Sequence, residues 1–286
     1  MGRASHSRIG YLAALLAGNA VLACGPWLVR LADTGPIAAG FWRLALPIPV
    51  FALIVFATGQ AKSLDRRLLG LAAMAGFFFA LDIGSWHVGI ERTRLGNAVL
   101  FGNAGSIILM GWGLLRLQKG ARGREAVAVM AAIAGGAILM GRSLSLSTEN
   151  FIGDLFCLFA GLCYAFYLLP AQKARSQSSP AAVLLVVCCV AAPVLLALAL
   201  AAGEPVLPGA AGWGPVVLLA VSSQLVGQGL LVFSLRHFSA LVIGLALMTQ
   251  PVVASLIGWR VFGEMLLPLD LLGMALVGAG LVLARR

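Results

Sequence analysis

Long apolar runs separated by short polar stretches dominate the pattern of this chain. Ten of these runs are long enough to cross a membrane, which takes about 20 helical residues for about 30 Å of hydrocarbon. Their approximate bounds are residues 9–29, 36–58, 68–90, 95–115, 125–141, 152–171, 181–202, 213–235, 240–262 and 267–284. Because the runs are continuous and do not alternate with a period of two, they predict helices and exclude the strands of a membrane barrel.

The composition fits a chain that is embedded in a lipid bilayer. Of its 286 residues, 61% are hydrophobic and 10% are charged, whereas a typical soluble domain has roughly 25% charged residues. A soluble fold of this size leaves about a quarter of its exposable surface in water, and this chain has too few polar residues to cover it. The polar stretches are too short to hold a soluble domain. The sequence therefore predicts an all-α integral membrane protein with ten transmembrane helices.

The basic residues predict an orientation. If the N-terminus is cytoplasmic, 14 of the 20 lysine and arginine residues fall on cytoplasmic segments. Basic residues favour the cytoplasmic side of a membrane, so both termini are predicted to be cytoplasmic. The predicted location is the inner membrane of a bacterium. The net charge of +10 is then explained by contact with anionic lipid headgroups, and no nucleic-acid partner is predicted.

The two halves of the chain resemble each other. Residues 95–115 read LGNAVLFGNAGSIILMGWGLL and are similar to residues 240–262, and a glycine-rich span follows each of them. The shift is about half of the chain, so residues 1–145 and 146–286 are predicted to be repeats of five helices each. Since five is odd, the second repeat must enter the membrane from the opposite side. Such inverted repeats are common in secondary transporters.

An acidic residue lies deep in the third predicted span. Asp82 follows the start of that span by about 14 residues, which is about 21 Å along a helix. Trp86 shares its helical face, while His87 is turned partly away and lies nearer to the outer surface. Ionisable groups at such depth usually face a water-filled cavity or a charged partner. Asp82 is therefore predicted either to line a substrate cavity or to pair with Arg43, and His87 either to relay protons with Asp82 or to be an interfacial polar residue.

Further polar side chains fall within apolar spans. Hydrogen bonds between helices could explain any one of them, but their concentration in six spans favours a shared interior cavity. The predicted substrate-binding residues are Asn19, Asp82, Trp86, Asn97, Asn103, Tyr164, Gln224, Gln228 and Gln250. The fifth and tenth spans have almost no internal polar groups, so they are predicted to face lipid or a second copy of the chain in a homodimer.

Sequence signals of an enzyme are weak. The five cysteines and three histidines form no metal-ligand spacing, and no nucleotide-binding or nucleophile motif is present. No metal, no cofactor and no catalytic residue is predicted, and transport would have to use an existing gradient. An intramembrane lipid-modifying enzyme is the rival of a different class, although such enzymes usually cluster several acidic residues. A structural subunit of a larger complex is a third alternative.

Two stretches resemble a known family. Residues 13–53 read AALLAGNAVLACGPWLVRLADTGPIAAGFWRLALPIPVFAL, with Pro36 and Arg43 in the second span. Residues 250–283 read QPVVASLIGWRVFGEMLLPLDLLGMALVGAGLVL, in which Pro251 precedes a Gly-Glu pair that ends in Glu264. Both stretches resemble EamA-type members of the drug/metabolite transporter superfamily, and within it the branch of amino-acid exporters that includes aromatic amino-acid exporters.

The resemblance implies a fold and a function. Its members have ten helices with cytoplasmic termini and transport small metabolites, often by exporting amino acids. Arg43, Pro251 and Glu264 would then be structural residues of the framework. The sequence as a whole predicts a secondary transporter that exports small metabolites, in the first place amino acids, by alternating access through a central cavity. Export of cationic drugs or nucleosides is the alternative within the same class.

Overall fold

The protein is all-helical throughout the part that its structure describes. The computed structural model describes residues 2–93, 95–116, 122–141, 150–262 and 265–284, and these residues contain no β-strand. The helices are α1 Gly2–Leu22, α2 Gly25–Leu31, α3 Pro36–Ala45, α4 Ile48–Ala57, α5 Arg66–Arg92, α6 Leu95–Gly102, α7 Ala104–Leu115, α8 Arg122–Gly141, α9 Phe151–Arg175, α10 Pro180–Ala201, α11 Trp213–Leu219, α12 Gly229–Leu235, α13 Ala240–Leu247, α14 Gln250–Phe262 and α15 Pro268–Ala284.

Seven segments of the described chain are long and apolar enough to cross a membrane. They are Ile9–Leu31, Pro36–Ala57, Arg66–Arg92, Asn97–Leu115, Phe151–Arg175, Pro180–Ala201 and Trp213–Leu235. The other three predicted spans coincide with α8, with α13 and α14 together, and with α15. The ninth and tenth predicted spans contain only shorter apolar helices. The chain is thus an integral membrane protein with a helical bundle.

Several spans are interrupted where the sequence weakens helical hydrogen bonding. The glycine-rich stretch 102–105 and Pro251 are the positions at which the sequence predicts irregular backbone, and both predictions are confirmed. The first break falls at Asn103, between α6 and α7, and the second at residues 248–249, just before Pro251. Proline has no N–H, so Pro251 cannot donate to the carbonyl of Leu247 one turn earlier.

One irregularity has no simple signal in the sequence. Residues Ala220–Gln228, between α11 and α12, form a π-helix rather than an α-helix. Wider turns of this kind are rare and frequently occur at functional sites, because they rotate the following side chains relative to a regular helix. Here the π-helical segment carries Ser223, Gln224 and Gln228, all of which are buried.

α5 is the central helix of the bundle. It packs along α9 and α10 and also contacts α3. Its first turn is capped by Asp65, whose side chain accepts a hydrogen bond of 2.7 Å from the backbone N–H of Leu68, which satisfies a donor that would otherwise be unpaired. α8 and α15 pack against each other with backbones in close approach, since a Cβ on Gly135 would lie 2.5 Å from the carbonyl oxygen of Gly273.

Side-chain hydrogen bonds join neighbouring segments at each end of the bundle. At one end, the Trp42 indole donates to the carbonyl of Val206 at 2.7 Å, and Arg30 donates to the carbonyl of Ile90 at 2.8 Å. At the other end, Gln172 donates to the carbonyl of Phe238 at 2.6 Å, and the hydroxyls of Ser63 and Ser178 lie 2.8 Å apart. These contacts hold the long helices at a fixed position along the axis of the bundle.

Candidate functional site

A cavity lies in the middle of the bundle where the interrupted helices meet. It is bounded by the junction of α1 and α2, by α3, α5, α6, α9 and the end of the π-helical segment, and by the first residue of α14. Its volume is about 80 Å³, and since a single water needs about 10–15 Å³ by the same measure, it admits a molecule of several non-hydrogen atoms. The wall side chains that carry polar atoms are Arg43, Asp82, Trp86, Asn103, Tyr164, Gln228 and Gln250.

Two opposite charges face this cavity. Asp82 and Arg43 are 7% and 3% exposed, and they interact electrostatically. No hydrogen bond joins their side chains among the described residues, and the Nε atom of Arg43 is buried without a partner. Arg43, which the sequence assigned to the framework, thus lies in the cavity wall beside Asp82. The two residues are not the directly bonded pair that the alternative interpretation of Asp82 requires.

A chain of hydroxyl and amide groups lies beside these charges. The hydroxyl of Tyr167 donates to Oε1 of Gln228 at 3.1 Å, and Nε2 of Gln228 donates to the hydroxyl of Tyr164 at 3.4 Å. Tyr167 stacks on Phe79 with ring centroids 4.3 Å apart. The π-helical turn brings Gln228 into this position, and the stacked rings fix the hydroxyl that holds it.

The helix break at Asn103 shapes another part of the wall. The Asn103 side chain donates to the carbonyl of Val99 at 2.8 Å, one turn earlier in the chain. Gly102, next to it, leaves room for the Trp86 indole, since a Cβ at this position would lie 3.1 Å from the indole nitrogen. A larger residue at position 102 would therefore displace the Trp86 indole.

Three residues that the sequence predicted in the cavity lie outside its wall. Asn19 is fully buried and donates to Oγ1 of Thr249 at 2.8 Å and to the carbonyl of Ala246, beside the second helix break. Gln224 donates to Sγ of Cys188 at 3.5 Å, and its own oxygen has no partner. Asn97 donates to Oδ1 of Asp154 at 2.9 Å. Each of them therefore positions a neighbouring segment.

Asp154 is a buried carboxylate that sequence reasoning missed. It lies in the first turn of α9, is 5% exposed, and also accepts a hydrogen bond of 2.6 Å from the hydroxyl of Thr93. An acidic residue near a helix N-terminus is common, so its position gave no signal. Its partners in α6 and at the end of α5 could be found only from the tertiary structure.

His87 is fully buried inside the bundle, beside the first residue of α3. Its Nδ1 atom lies 2.9 Å from the carbonyl of Pro36, and its Nε2 atom has no partner. It does not line the cavity. Of the two remaining framework predictions, Pro251 is buried in the first turn of α14, whereas Glu264 lies outside the described residues.

The described residues contain no group of three or more histidine, cysteine, aspartate or glutamate side chains that could hold a metal ion. Four of the cysteines lie in the interior or are half-buried, and Cys189 is exposed. Among the described residues that line the cavity, Asp82 is the one acidic residue. The cavity therefore offers one carboxylate, one guanidinium, amides and aromatic rings, a set suited to binding a small polar molecule.

The second half of the chain matches a known family. The model of the EamA-like transporter family matches residues 151–286. The matched residues contribute Tyr164, Gln228 and Gln250 to the cavity, and the first half of the chain contributes both charges.

Relatives extend the similarity beyond residues 151–286. The chain is 25% identical over 235 residues to an uncharacterised transporter of Archaeoglobus fulgidus, covering 82% of each chain. It is 25% identical over 248 residues to the threonine/homoserine exporter RhtA of Escherichia coli K12, covering 84% of this chain and 79% of that one. A solved crystal structure superposes with a TM-score of 0.75 at 14% identity, over 98% of this chain and 97% of that one, which shows a shared fold.

Proposed function

We propose that this protein is a secondary transporter that exports amino acids or closely similar zwitterions across the cytoplasmic membrane. One observation carries the proposal: Arg43 and Asp82 face a single cavity without a hydrogen bond between them. Two buried charges that do not bond each other lower the stability of the folded protein, because burial removes their hydration and no direct hydrogen bond between them replaces it. A ligand with both a carboxylate and an ammonium group would satisfy both charges at once.

The two charged groups suit the two ends of an amino acid. The planar guanidinium of Arg43 can bind a carboxylate through two parallel N–H donors. The carboxylate of Asp82 can accept hydrogen bonds from an ammonium group, and the ring faces of Trp86 and Tyr164 attract cations as well. The substrate side chain would extend toward the apolar part of the wall, at Phe79 and Val99.

Comparison with a named exporter supports the same substrate class. RhtA of E. coli is described as an exporter of threonine and homoserine, and both of these molecules are small zwitterions. The size of the cavity is in keeping with such molecules. A nucleoside has no carboxylate for Arg43, and a cationic drug would bring a second positive charge beside it, so these alternatives fit the charges less well.

The helix neighbours support a chain of two inverted repeats, residues 1–145 and 146–286, with ten spans. α3 packs on α10, α7 on α13, and α8 on α15, and these are the second, fourth and fifth spans of the two repeats. α1 packs on α12, and α9 packs on α5, so the first span of each repeat contacts the third span of the other. A twofold relation between the halves accounts for every one of these pairs.

The proposed mechanism is alternating access. In such transporters one repeat rocks against the other around a fixed central site, and broken helices line that site. The breaks at Asn103 and at residues 248–249 lie in matching spans of the two repeats, so each repeat would contribute one. Both termini are proposed to be cytoplasmic, on the side where Arg116, Lys173 and Arg236 lie.

Counterflow in liposomes that contain only the purified protein tests the proposal. Vesicles loaded with unlabelled threonine, homoserine, phenylalanine, adenosine or a cationic dye are diluted into the labelled form of the same compound. Accumulation of at least one labelled amino acid, which unlabelled zwitterions inhibit, is the expected result. Accumulation only of the nucleoside or the dye would contradict the substrate class, and absence of any flux with all five would contradict transport by this chain alone.

A further inference from the structure

A second concave surface lies on the outside of the bundle. It is a groove between α5 and α7 that runs over the outer face of α9, and the turn after α12 closes one end. Its volume is about 680 Å³. Phe166 of α9 points into this groove, whereas Tyr164 and Tyr167 of the same helix point into the bundle. The groove is therefore separated from the transport cavity by α9 itself.

Three basic side chains edge this groove. Arg116 at the end of α7, Lys173 in the last turn of α9 and Arg236 after α12 all line it, and all three are exposed. No aspartate or glutamate is among the described residues of its wall. The guanidinium of Arg116 lies 4.7 Å from the centre of the Trp112 ring, a cation–π contact that holds this charge at the edge of the groove.

The pKa of a neighbouring histidine indicates a positive electrostatic potential at this end of the bundle. His237 follows Arg236 in the turn after α12. Its pKa lies below the ordinary value because partial burial disfavours the charged ring, and because Arg236 and Arg175 repel a further positive charge. An anion bound in the groove would offset this repulsion.

The floor of the groove is apolar and continues toward the lipid. Met74 and Phe78 of α5 and Phe166 of α9 form it together with Trp112. Met74 is 46% exposed and Phe166 is 51% exposed, and both lie within segments long and apolar enough to span the membrane. The surface thus changes from apolar to basic along the membrane normal, as a phospholipid changes from its acyl chains to its phosphate.

We propose that this groove binds one anionic phospholipid, with its phosphate among Arg116, Lys173 and Arg236 and an acyl chain along Met74, Phe78 and Phe166. Basic pockets between transmembrane helices are suited to anionic headgroups. A free phosphate would use the basic edge and leave the apolar floor exposed. A neutral phospholipid would cover the floor and leave three like charges close together, so the combination favours an anionic lipid.

Lipid binding to the purified full-length protein tests this proposal. Delipidated protein in detergent is titrated with phosphatidylglycerol or with phosphatidylcholine of the same acyl chains, and bound lipid is counted by native mass spectrometry. The Arg116→Gln/Lys173→Gln variant removes two cations from the groove. The matched control is Lys62→Gln/Arg67→Gln, which removes two exposed cations near the same end of the bundle but outside the groove.

We expect one phosphatidylglycerol to bind preferentially to the wild type and to the control. The groove variant should bind it about 30-fold more weakly, on the basis of about 1 kcal/mol for each basic side chain near the headgroup. Glycerol 3-phosphate and inorganic phosphate should not displace the lipid. Equal binding of phosphatidylcholine, unchanged binding by the groove variant, an equal loss in the control, or displacement by free phosphate would each overturn the proposal.

The test does not depend on the folding of the double variant. If that variant is not recovered, the preference of the wild type for phosphatidylglycerol and the failure of phosphate to compete still decide the outcome. The single change Lys173→Gln then replaces the double one, because Lys173 is exposed and no hydrogen bond of its side chain would be lost. This variant should bind phosphatidylglycerol about fivefold more weakly, and unchanged binding would count against the site.

Discussion

Gln250 donates a hydrogen bond of 2.7 Å from its Nε2 atom to Oδ1 of Asn19, and so joins the first helix of the chain to the first residue of α14. The amide of Asn19 in turn donates to Oγ1 of Thr249 and to the carbonyl of Ala246. Asn19 therefore satisfies both sides of the helix break that precedes Pro251. This contact holds the break next to the cavity, where Gln250 forms part of the wall.

Asn19→Leu should lower the melting temperature of the protein in detergent. The substitution leaves the side-chain amide of Gln250 without its partner and removes one of several donors to the carbonyl of Ala246, and the unsatisfied amide costs about 1–3 kcal/mol. Asn103→Leu is the matched control, because the Asn103 side chain bonds only to a carbonyl one turn earlier in its own segment. Thermal unfolding followed by tryptophan fluorescence compares the two, and an equal loss in both would contradict the bridging role of Asn19.

Asp82→Asn should weaken transport of zwitterions more than of analogues that lack the ammonium group. A hydrogen bond to a charged group is worth about 1.5–3 kcal/mol, so the apparent affinity should fall by about ten- to hundredfold. The dependence of flux on pH should also flatten, since the carboxyl that could exchange a proton is gone. Flux in proteoliposomes from pH 5 to pH 9, beside a melting curve, provides the measurement.

Arg43→Gln provides the complementary test. If the carboxylate of the substrate binds Arg43, this variant should weaken binding of amino acids about as much as Asp82→Asn and should affect amines without a carboxylate less. A structural role predicts another pattern, in which both variants lose thermal stability while the surviving protein keeps the wild-type pH profile and substrate preference. That pattern would contradict the assignment of Arg43 and Asp82 to the substrate-binding site.

Tyr164→Phe should raise the substrate concentration needed for half-maximal flux by several fold and leave the melting temperature nearly unchanged. The hydroxyl lies in the cavity wall, and its only hydrogen bond to a described residue is the long one from Gln228 at 3.4 Å. Val282→Leu, at a position of α15 that is 66% exposed, should have no effect. Equal damage from both substitutions would contradict the assignment of Tyr164 to the cavity.

Gly161→Ala should destabilise the protein by about 1–3 kcal/mol, the usual cost of overpacking. A Cβ there would lie 2.7 Å from the carbonyl oxygen of Gly102 and 2.8 Å from that of Phe101, and a backbone cannot yield as a flexible side chain can. Gly70→Ala in α5 is the control, because no atom lies within 4 Å of its added Cβ. Melting temperatures and expression levels should separate the two variants.

Cysteine labelling should reveal the orientation of the bundle. In a cysteine-free background, Lys62→Cys and Ser176→Cys should react with a membrane-impermeant maleimide only in inside-out vesicles. The native Leu207 side chain is 71% exposed, and Leu207→Cys should react only in intact cells. Reaction of all three from the same side, or exchange of the two groups, would contradict the proposed topology.

The positions of the helices could be predicted from the sequence because lipid imposes a local requirement. A span must be apolar for about 20 residues whatever it packs against, so composition alone marks it. The breaks near Asn103 and Pro251 were predictable for a similar reason, since glycine and proline act on the backbone of their own turn. The depth of Asp82 followed from simple counting along α5.

The contents of the cavity wall were decided by the tertiary structure. Helical periodicity shows which residues share a face, but it does not show what that face meets, and so Asn97 was predicted in the cavity although its partner is Asp154. The partners of Asn19 lie more than 220 positions away in the chain. Arg43 and Asp82 face one space without bonding because packing sets the distance between α3 and α5, and no local pattern in the sequence encodes that distance.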